Sequence, residues 1–209
     1  MRFWMTVLCV LLSLSGYSQK DAELWAGISA EKELSKKSVF GLALESRFND
    51  NATRLDNYFV APEFSYEFTD FYEVTAGYRF GKWLDIAQQR VQLDQTFTYE
   101  KLRHTYFFRL RWQRTFERTE LPSDKVRFKA GYRFEPNSSW RFGISFEQFN
   151  AIYNYKSNWL NDELRFTADV RYSINKSQDI SLFYRYEIDQ SVSYPEMRFI
   201  LGCSYDIEF

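Results

Sequence analysis

The chain ends in the stretch EMRFILGCSYDIEF, residues 196–209, and its alternation decides the fold. The residues in the even-numbered positions are polar or small, with Ile200 as the one strongly apolar exception. A period of two is that of a β-strand with one apolar and one polar face. The apolar face of this strand consists of Met197, Phe199, Leu201, Cys203, Tyr205, Ile207 and Phe209.

The last residues of this strand also indicate how it is assembled. The strand runs to the end of the sequence and finishes on Phe209, a pattern that resembles the C-terminal signal of bacterial outer-membrane β-barrels. We therefore expect Tyr205, Ile207 and Phe209 to form an assembly signal that the outer-membrane assembly machinery reads. The alternative, the edge strand of a soluble sandwich, has no reason to end on a bare phenylalanine.

The N-terminus predicts export. Arg2 precedes a mostly apolar stretch over residues 3–14, and the small residues Gly16 and Ser18 flank Tyr17 as at a signal-peptidase site. The apolar stretch is shorter than the roughly 20 residues that a membrane-spanning helix needs. We expect residues 1–18 to be a cleaved signal peptide for Sec-type export.

The composition agrees with a membrane barrel despite its polarity. Mean hydropathy is −0.48, but a barrel strand places half of its residues on a polar inner face. Aromatic residues make up 20% of the chain and are the residues of interfacial girdles. The net charge of −1 gives no reason to expect a nucleic-acid partner. Cys203 is the one cysteine after residue 18, which excludes a disulfide within the mature chain.

The same alternation recurs along residues 19–209, which predicts a single domain. We interpret the chain as all-β, an antiparallel up-and-down transmembrane β-barrel of about 10–12 strands. The predicted strands lie near residues 23–34, 38–49, 57–68, 71–83, 88–101, 103–117, 124–135, 139–150, 160–174, 178–189 and 196–209.

The connections between these strands alternate in length, as in outer-membrane barrels with short periplasmic turns and longer outer loops. Eleven strands would place the mature N-terminus outside, whereas bacterial single-chain barrels have an even number of strands. Either residues 22–34 are not a full barrel strand, or a further break is hidden in the pattern. The sequence leaves this choice open.

Several short segments resemble a known family. They are Leu24-Trp25, Arg47-Phe48-Asn49-Asp50, Gly77-Tyr78-Arg79-Phe80 and Gly131-Tyr132-Arg133-Phe134. The chain is similar over its mature length to a family of short secreted outer-membrane β-barrel proteins classed as a domain of unknown function. The resemblance implies a barrel in the outer membrane and carries no catalytic residues to this sequence.

The sequence offers little for catalysis. His104 is the only histidine, and it is in phase with the apolar face of its strand, where an imidazole joins an aromatic belt. No serine lies in a Gly-x-Ser-x-Gly elbow, and no phosphate-binding glycine loop or calcium loop is present. We predict that the protein is not an enzyme and that it needs no cofactor and no metal.

The polar face carries many arginines, aspartates and glutamates, and it predicts a charge-filled lumen. Such side chains should pair across a narrow barrel, as Glu187 with Arg198 and Asp169 with Arg185. Either the charges form a purely structural lattice, or they line a narrow pore or a site for an anionic or amphiphilic ligand. The candidate lumen charges are Arg79, Arg133, Asp169, Arg185, Glu187 and Arg198, and the inward apolar exceptions are Phe107, Phe149, Phe183 and Ile200.

These observations favour a barrel in the outer membrane of a Gram-negative envelope, with a structural, binding or narrow-pore role. Its partners are then the lipid bilayer and the assembly machinery. A soluble lipocalin-like barrel is one alternative, because alternation alone does not say which face is inside. A membrane-embedded enzyme is the other.

Overall fold

Eleven strands close into one barrel in the computed structural model, which describes residues 22–83, 86–118, 121–153, 160–190 and 196–209. Each strand pairs with its sequence neighbours in antiparallel fashion, and β1 pairs with β11 to close the barrel. The strands are β1 (Ala22–Ser35), β2 (Ser38–Asn49), β3 (Arg54–Thr69), β4 (Tyr72–Trp83), β5 (Ile86–Lys101), β6 (His104–Glu117), β7 (Ser123–Asn137), β8 (Trp140–Tyr153), β9 (Leu160–Asn175), β10 (Gln178–Asp189) and β11 (Glu196–Glu208). The predicted signal peptide, residues 1–18, lies outside the described residues.

The strand number resolves the choice that the sequence left open. Residues 22–34 do form a full barrel strand, so β1 and β11 run in the same direction and the closing pair is parallel. Its register extends from Ala22 opposite Phe199 to Glu31 opposite Glu208. An odd strand count is therefore accommodated by one parallel pair within an otherwise antiparallel sheet.

The two ends of the barrel differ, as the connection lengths predicted. At one end, which we call the turn end, every connection between described strands has two residues: 36–37, 70–71, 102–103, 138–139 and 176–177. The other end, which we call the loop end, carries the start of β1 and the connections of four to six residues at 50–53, 118–122, 154–159 and 190–195. The connection between β4 and β5, predicted as a longer one at 84–87, is limited to residues 84–85, because β5 begins at Ile86. Within the described part of the chain, no helix is long and apolar enough to cross a membrane.

The apolar face of the sheet points outward and the charged face points inward. Phe64, Phe80, Phe166 and Leu201 are exposed on the outer wall. An apolar outer wall around a polar interior is the architecture of a transmembrane β-barrel. The lipocalin-like alternative, which would bury the aromatic face, is wrong for this fold.

Aromatic side chains gather on the outer wall near the turn end. The rings of Tyr72 and Phe97 stack with centroids 4.9 Å apart, and those of Trp140 and Tyr172 lie 4.8 Å apart. His104 belongs to the same belt, because its Nδ1 lies 2.7 Å from the hydroxyl oxygen of Tyr132. This belt has the composition and position of an interfacial girdle.

We expect a charge on the outer wall to be costly where the same charge inside is not. Val170 faces outward on β9, whereas Val39 faces an acidic part of the lumen. Val170→Arg should lower the free energy of unfolding by up to about 2–4 kcal/mol, depending on its depth in the bilayer. Val39→Arg should cost less, because carboxylates surround it. Urea unfolding in lipid vesicles measures both, and equal losses would contradict the assignment of the faces.

Candidate functional site

The lumen near the loop end contains a strongly cationic cavity, which we call the basic chamber. Its volume is about 330 Å³, at the lower end of the range for small-molecule sites. Ten lysine and arginine side chains line it, against four glutamates. The cations are Arg47, Arg79, Arg90, Arg109, Arg111, Lys125, Arg127, Lys129, Arg165 and Arg185, and the acids are Glu45, Glu117, Glu147 and Glu163.

Toward the turn end the balance of charge reverses. In two cavities of about 340 and 250 Å³, carboxylates outnumber arginines among the lining residues, and they include Glu67, Glu73 and Glu63. Arg109 lines both of them and the basic chamber as well, and its Nη1 lies 3.5 Å from an Asp94 carboxylate oxygen. The sign of the lumen charge therefore changes at the level of Arg109.

The predicted pair of Glu187 and Arg198 is confirmed. The two residues are direct cross-strand partners, and their side chains form an ion pair of 2.5 Å. Glu187 is 1% exposed and also pairs with Arg165 at 2.6 Å, while Arg165 pairs with Glu163. Glu163, Arg165, Glu187 and Arg198 thus form one connected cluster, which includes two of the six predicted lumen charges.

The predicted pair of Asp169 and Arg185 is wrong. Arg185 is opposite Thr167 and donates a hydrogen bond of 3.1 Å to its hydroxyl, while Asp169 is opposite Phe183. A register shift next to the turn, between Gln178 and Asp179, moves β10 relative to β9. Without this shift Arg185 would be opposite Ala168, so it faces Asp169 in neither register, and Asp169 lies only diagonally from it.

Three lumen arginines rest on phenylalanine rings instead of pairing with acids. The Cζ atom lies 3.5 Å from the ring centroid of Phe59 for Arg79, and 4.6 Å from that of Phe107 for Arg133. Cation–π contact holds a guanidinium without neutralising it. Among the described residues, Arg79 and Arg133 have no carboxylate within 4.0 Å.

Arg185 is the third arginine of this kind. Its Cζ atom lies 4.9 Å from the ring centroid of Phe183 and 4.8 Å from that of Trp25. No acid among the described residues lies within ion-pair distance of it. With Arg79 and Arg133, it leaves the lumen with positive charge that the protein does not compensate.

Each of the three phenylalanines lies over a glycine of the neighbouring strand. Phe59 is opposite Gly81, Phe107 is opposite Gly131, and Phe183 is opposite Gly202. A Cβ at Gly131 or Gly202 would come within 2.3 or 2.0 Å of the ring. The missing side chain is therefore what allows the ring to lie flat on the wall, with the arginine above it.

Sequence reasoning missed two inward aromatic residues, Trp25 and Phe59, which are 5% and 4% exposed. Trp25 carries Arg47 on its ring at 3.6 Å. The available signal was the phase of each strand. Trp25 is in phase with Glu23, and Phe59 is in phase with Glu63, so both aromatic residues belong to polar faces. The predicted inward residues Phe107, Phe149, Phe183 and Ile200 do face the lumen.

Other chemistry-bearing residues lie away from the lumen. His104 and Cys203 are on the outer wall, as are the predicted assembly residues Tyr205 and Ile207. Phe209 follows the last strand and is 75% exposed. The described residues contain no group of three or more side chains suited to a metal ion. An apolar depression of about 630 Å³ between Ala130 and Tyr186 opens on the outer wall.

Comparison with known proteins places the fold and the family. Residues 22–207 match the family model described as "Protein of unknown function (DUF2490)". No curated protein matches the sequence.

One solved structure shares the fold at low sequence identity. The NanC porin is 10% identical with a TM-score of 0.52, over 78% of this chain and 86% of that one. An anion-selective porin from Comamonas acidovorans is 7% identical with a TM-score of 0.40, over 79% of this chain and 54% of the porin.

We expect Glu187 to be worth more to stability than Arg198. Removing the buried carboxylate leaves two arginines without it, and breaking a buried pair from one side costs about 3–5 kcal/mol. Arg198 is 35% exposed, and Glu187 would keep Arg165 without it. Urea unfolding in detergent micelles should show a larger loss of unfolding free energy for Glu187→Gln than for Arg198→Gln. A larger loss for Arg198→Gln would refute this account of the cluster.

We expect Gly202→Ala to displace the ring of Phe183. The added Cβ has no space on the ring side, so overpacking should lower the free energy of unfolding by about 1–3 kcal/mol. Gly41→Ala is the matched control, since its nearest neighbour would be the Cγ of Glu31 at 3.7 Å. The fluorescence of Trp25, whose ring centroid lies 6.1 Å from that of Phe183, should change in the first variant alone. Equal unfolding midpoints would contradict the role of the glycine.

Proposed function

The chain belongs to the DUF2490 family of proteins of unknown function, and we propose that it is an outer-membrane β-barrel whose lumen holds small anions and passes them slowly. The location is supported by the apolar outer wall and its aromatic girdle, which match a barrel embedded in a bilayer. We further propose that the predicted signal peptide directs export, and that the outer-membrane assembly machinery recognises the terminal Phe209.

The excess of cations in the basic chamber carries the functional part. Ten cations line it against four carboxylates. Three further acids, Asp94, Asp162 and Glu187, pair with lining cations from outside the cavity, which leaves an excess of three positive charges. Low-dielectric walls concentrate the field of such a cluster. A lattice that served stability alone would gain from matching each arginine with an acid. Arg79 and Arg185 are instead held by aromatic rings, which keeps them in place and leaves their charge available.

The filled interior supports slow passage. The lumen contains the buried side chains of Phe59, Phe149 and Ile200. It also contains the ion-paired cluster around Glu187. Side chains fill much of a barrel of this size. We therefore expect conductance well below that of a general porin.

The proposal includes no catalysis. His104 is bonded to Tyr132 on the outer wall, away from the lumen charges that could act on a solute. In the basic chamber, Glu147 and Glu163 are engaged by Arg127 and Arg165, and the neighbouring Asp94 is engaged by Arg111 at 2.5 Å. These contacts fit a binding and permeation role better than acid–base chemistry.

Planar-bilayer recordings test this function. Under a potassium chloride gradient, we expect small currents whose reversal potential indicates a preference for chloride over potassium. Arg185→Gln should reduce that preference because it removes an uncompensated cation from the chamber. Lys82→Gln, on the outer side of β4, is the control and should leave it unchanged. Large cation-selective channels, or an anion preference that is unchanged in Arg185→Gln, would refute the proposal.

A further inference from the structure

Two arginines of the basic chamber lie directly opposite each other. Arg79 on β4 and Arg90 on β5 are cross-strand partners, and both line the chamber. Directly opposed side chains on one face have Cβ atoms about 4.5–5.5 Å apart, so like charges there destabilise the sheet. Such a pair needs negative charge close by.

The other opposed cations of this region receive that charge from the protein. Arg111 faces Arg127, and these two pair with Asp94 and Glu147 respectively. Arg109, which faces Lys129, also pairs with Asp94. These contacts show how the fold compensates opposed cations when it does so itself.

The pair formed by Arg79 and Arg90 lacks this compensation. Arg90 donates to the hydroxyl of Thr115 at 3.2 Å and to the side-chain oxygen of Gln88 at 3.4 Å, both neutral acceptors. Arg79 donates to no residue that the structure describes, and its Nε is buried without an acceptor. Among the described carboxylates, none lies within 4.0 Å of either guanidinium.

The position of Arg79 is nonetheless fixed. Its guanidinium lies on the ring of Phe59, and Phe59 lies on Gly81, where a Cβ would come within 2.6 Å of the Cβ of Phe59. Buried donors without acceptors are costly, typically about 1–3 kcal/mol each. An arginine that is held in place but left without an acceptor is suited to an acceptor from outside the protein.

We infer that Arg79 and Arg90 form a binding site for a doubly charged oxyanion, such as a phosphate group. This inference rests on the proposed function and names the ligand class of the chamber. Two planar guanidinium forks match the oxygens of a phosphate, and two negative charges balance the opposed pair. The chamber of about 330 Å³ limits the ligand to a small phosphate or a small phosphate ester.

Thermal unfolding of the full-length protein in detergent tests the site. At about pH 8 and constant ionic strength, replacing chloride by inorganic phosphate should raise the unfolding midpoint, because a ligand of the native state stabilises it. Phosphate also stabilises folded proteins in general, so the decisive quantity is the difference between variants. Arg79→Gln and Arg90→Gln should each lose most of the specific shift, and the double variant should lose little more.

Arg133→Gln is the matched control. Arg133 also stands on a phenylalanine ring but lines a cavity at the turn end, so this variant should keep the phosphate shift. Calorimetry should give phosphate affinities about tenfold or more weaker for Arg79→Gln than for Arg133→Gln. In phosphate-free buffer, Arg79→Gln should unfold at a higher temperature than the wild type, because the repulsion is gone.

A phosphate shift that survives in both Arg79→Gln and Arg90→Gln would overturn the inference, even if chloride selectivity remained and the proposed function stood. Should a glutamine variant not fold, Arg79→Lys keeps the charge without the fork, and it should fold and bind phosphate more weakly. Two measurements on the purified protein distinguish a free phosphate from a lipid headgroup. They are phosphorus analysis before and after dialysis, and mass spectrometry of acyl chains. Phosphorus that dialyses away identifies a free solute, and phosphorus accompanied by acyl chains identifies a lipid headgroup at the same site.

Discussion

Backbone hydrogen bonding is the constraint on which the rest of this structure depends. In hydrocarbon, every peptide N–H and C=O needs a partner within the protein, so a sheet has to close. With eleven strands, closure brings together two strands that run in the same direction, and β1 pairs with β11 in parallel. The direction of each side chain follows from that closed sheet. Since the apolar half of every strand forms the outer wall, the polar half is directed into one narrow interior.

The interior then has two ways of holding an arginine. Around Glu187, arginines and acids neutralise one another in a buried cluster. At Gly81, Gly131 and Gly202, a phenylalanine covers the missing side chain and an arginine lies on the ring. The first arrangement removes charge from the lumen, whereas the second keeps it. The basic chamber is cationic because it uses the second arrangement as well as the first.

The sequence predicts the strands and their faces well because the alternation of two is a local property. Closure is not local, so the pattern left the role of residues 22–34 undecided. Register is also not local, and the pairing of β9 with β10 places Arg185 opposite Thr167 instead of Asp169. Trp25 and Phe59 were missed because an aromatic residue on a polar face needs a partner to explain it. Those partners, Arg47 and Arg79, are on other strands.

The reversal of charge at Arg109 gives the lumen a direction. On the proposed function, an anion that enters at the turn end meets Glu67 and Glu73, which share their cavity with Arg133, before it reaches the basic chamber. An anion that enters at the loop end meets the basic chamber first. Interactions of buried charges are screened little by salt, so on the proposed function these carboxylates should oppose the approach of an anion from the turn end. Arg109, paired with Asp94, lies between the acidic cavities and the basic chamber, where attraction of an anion should change to repulsion.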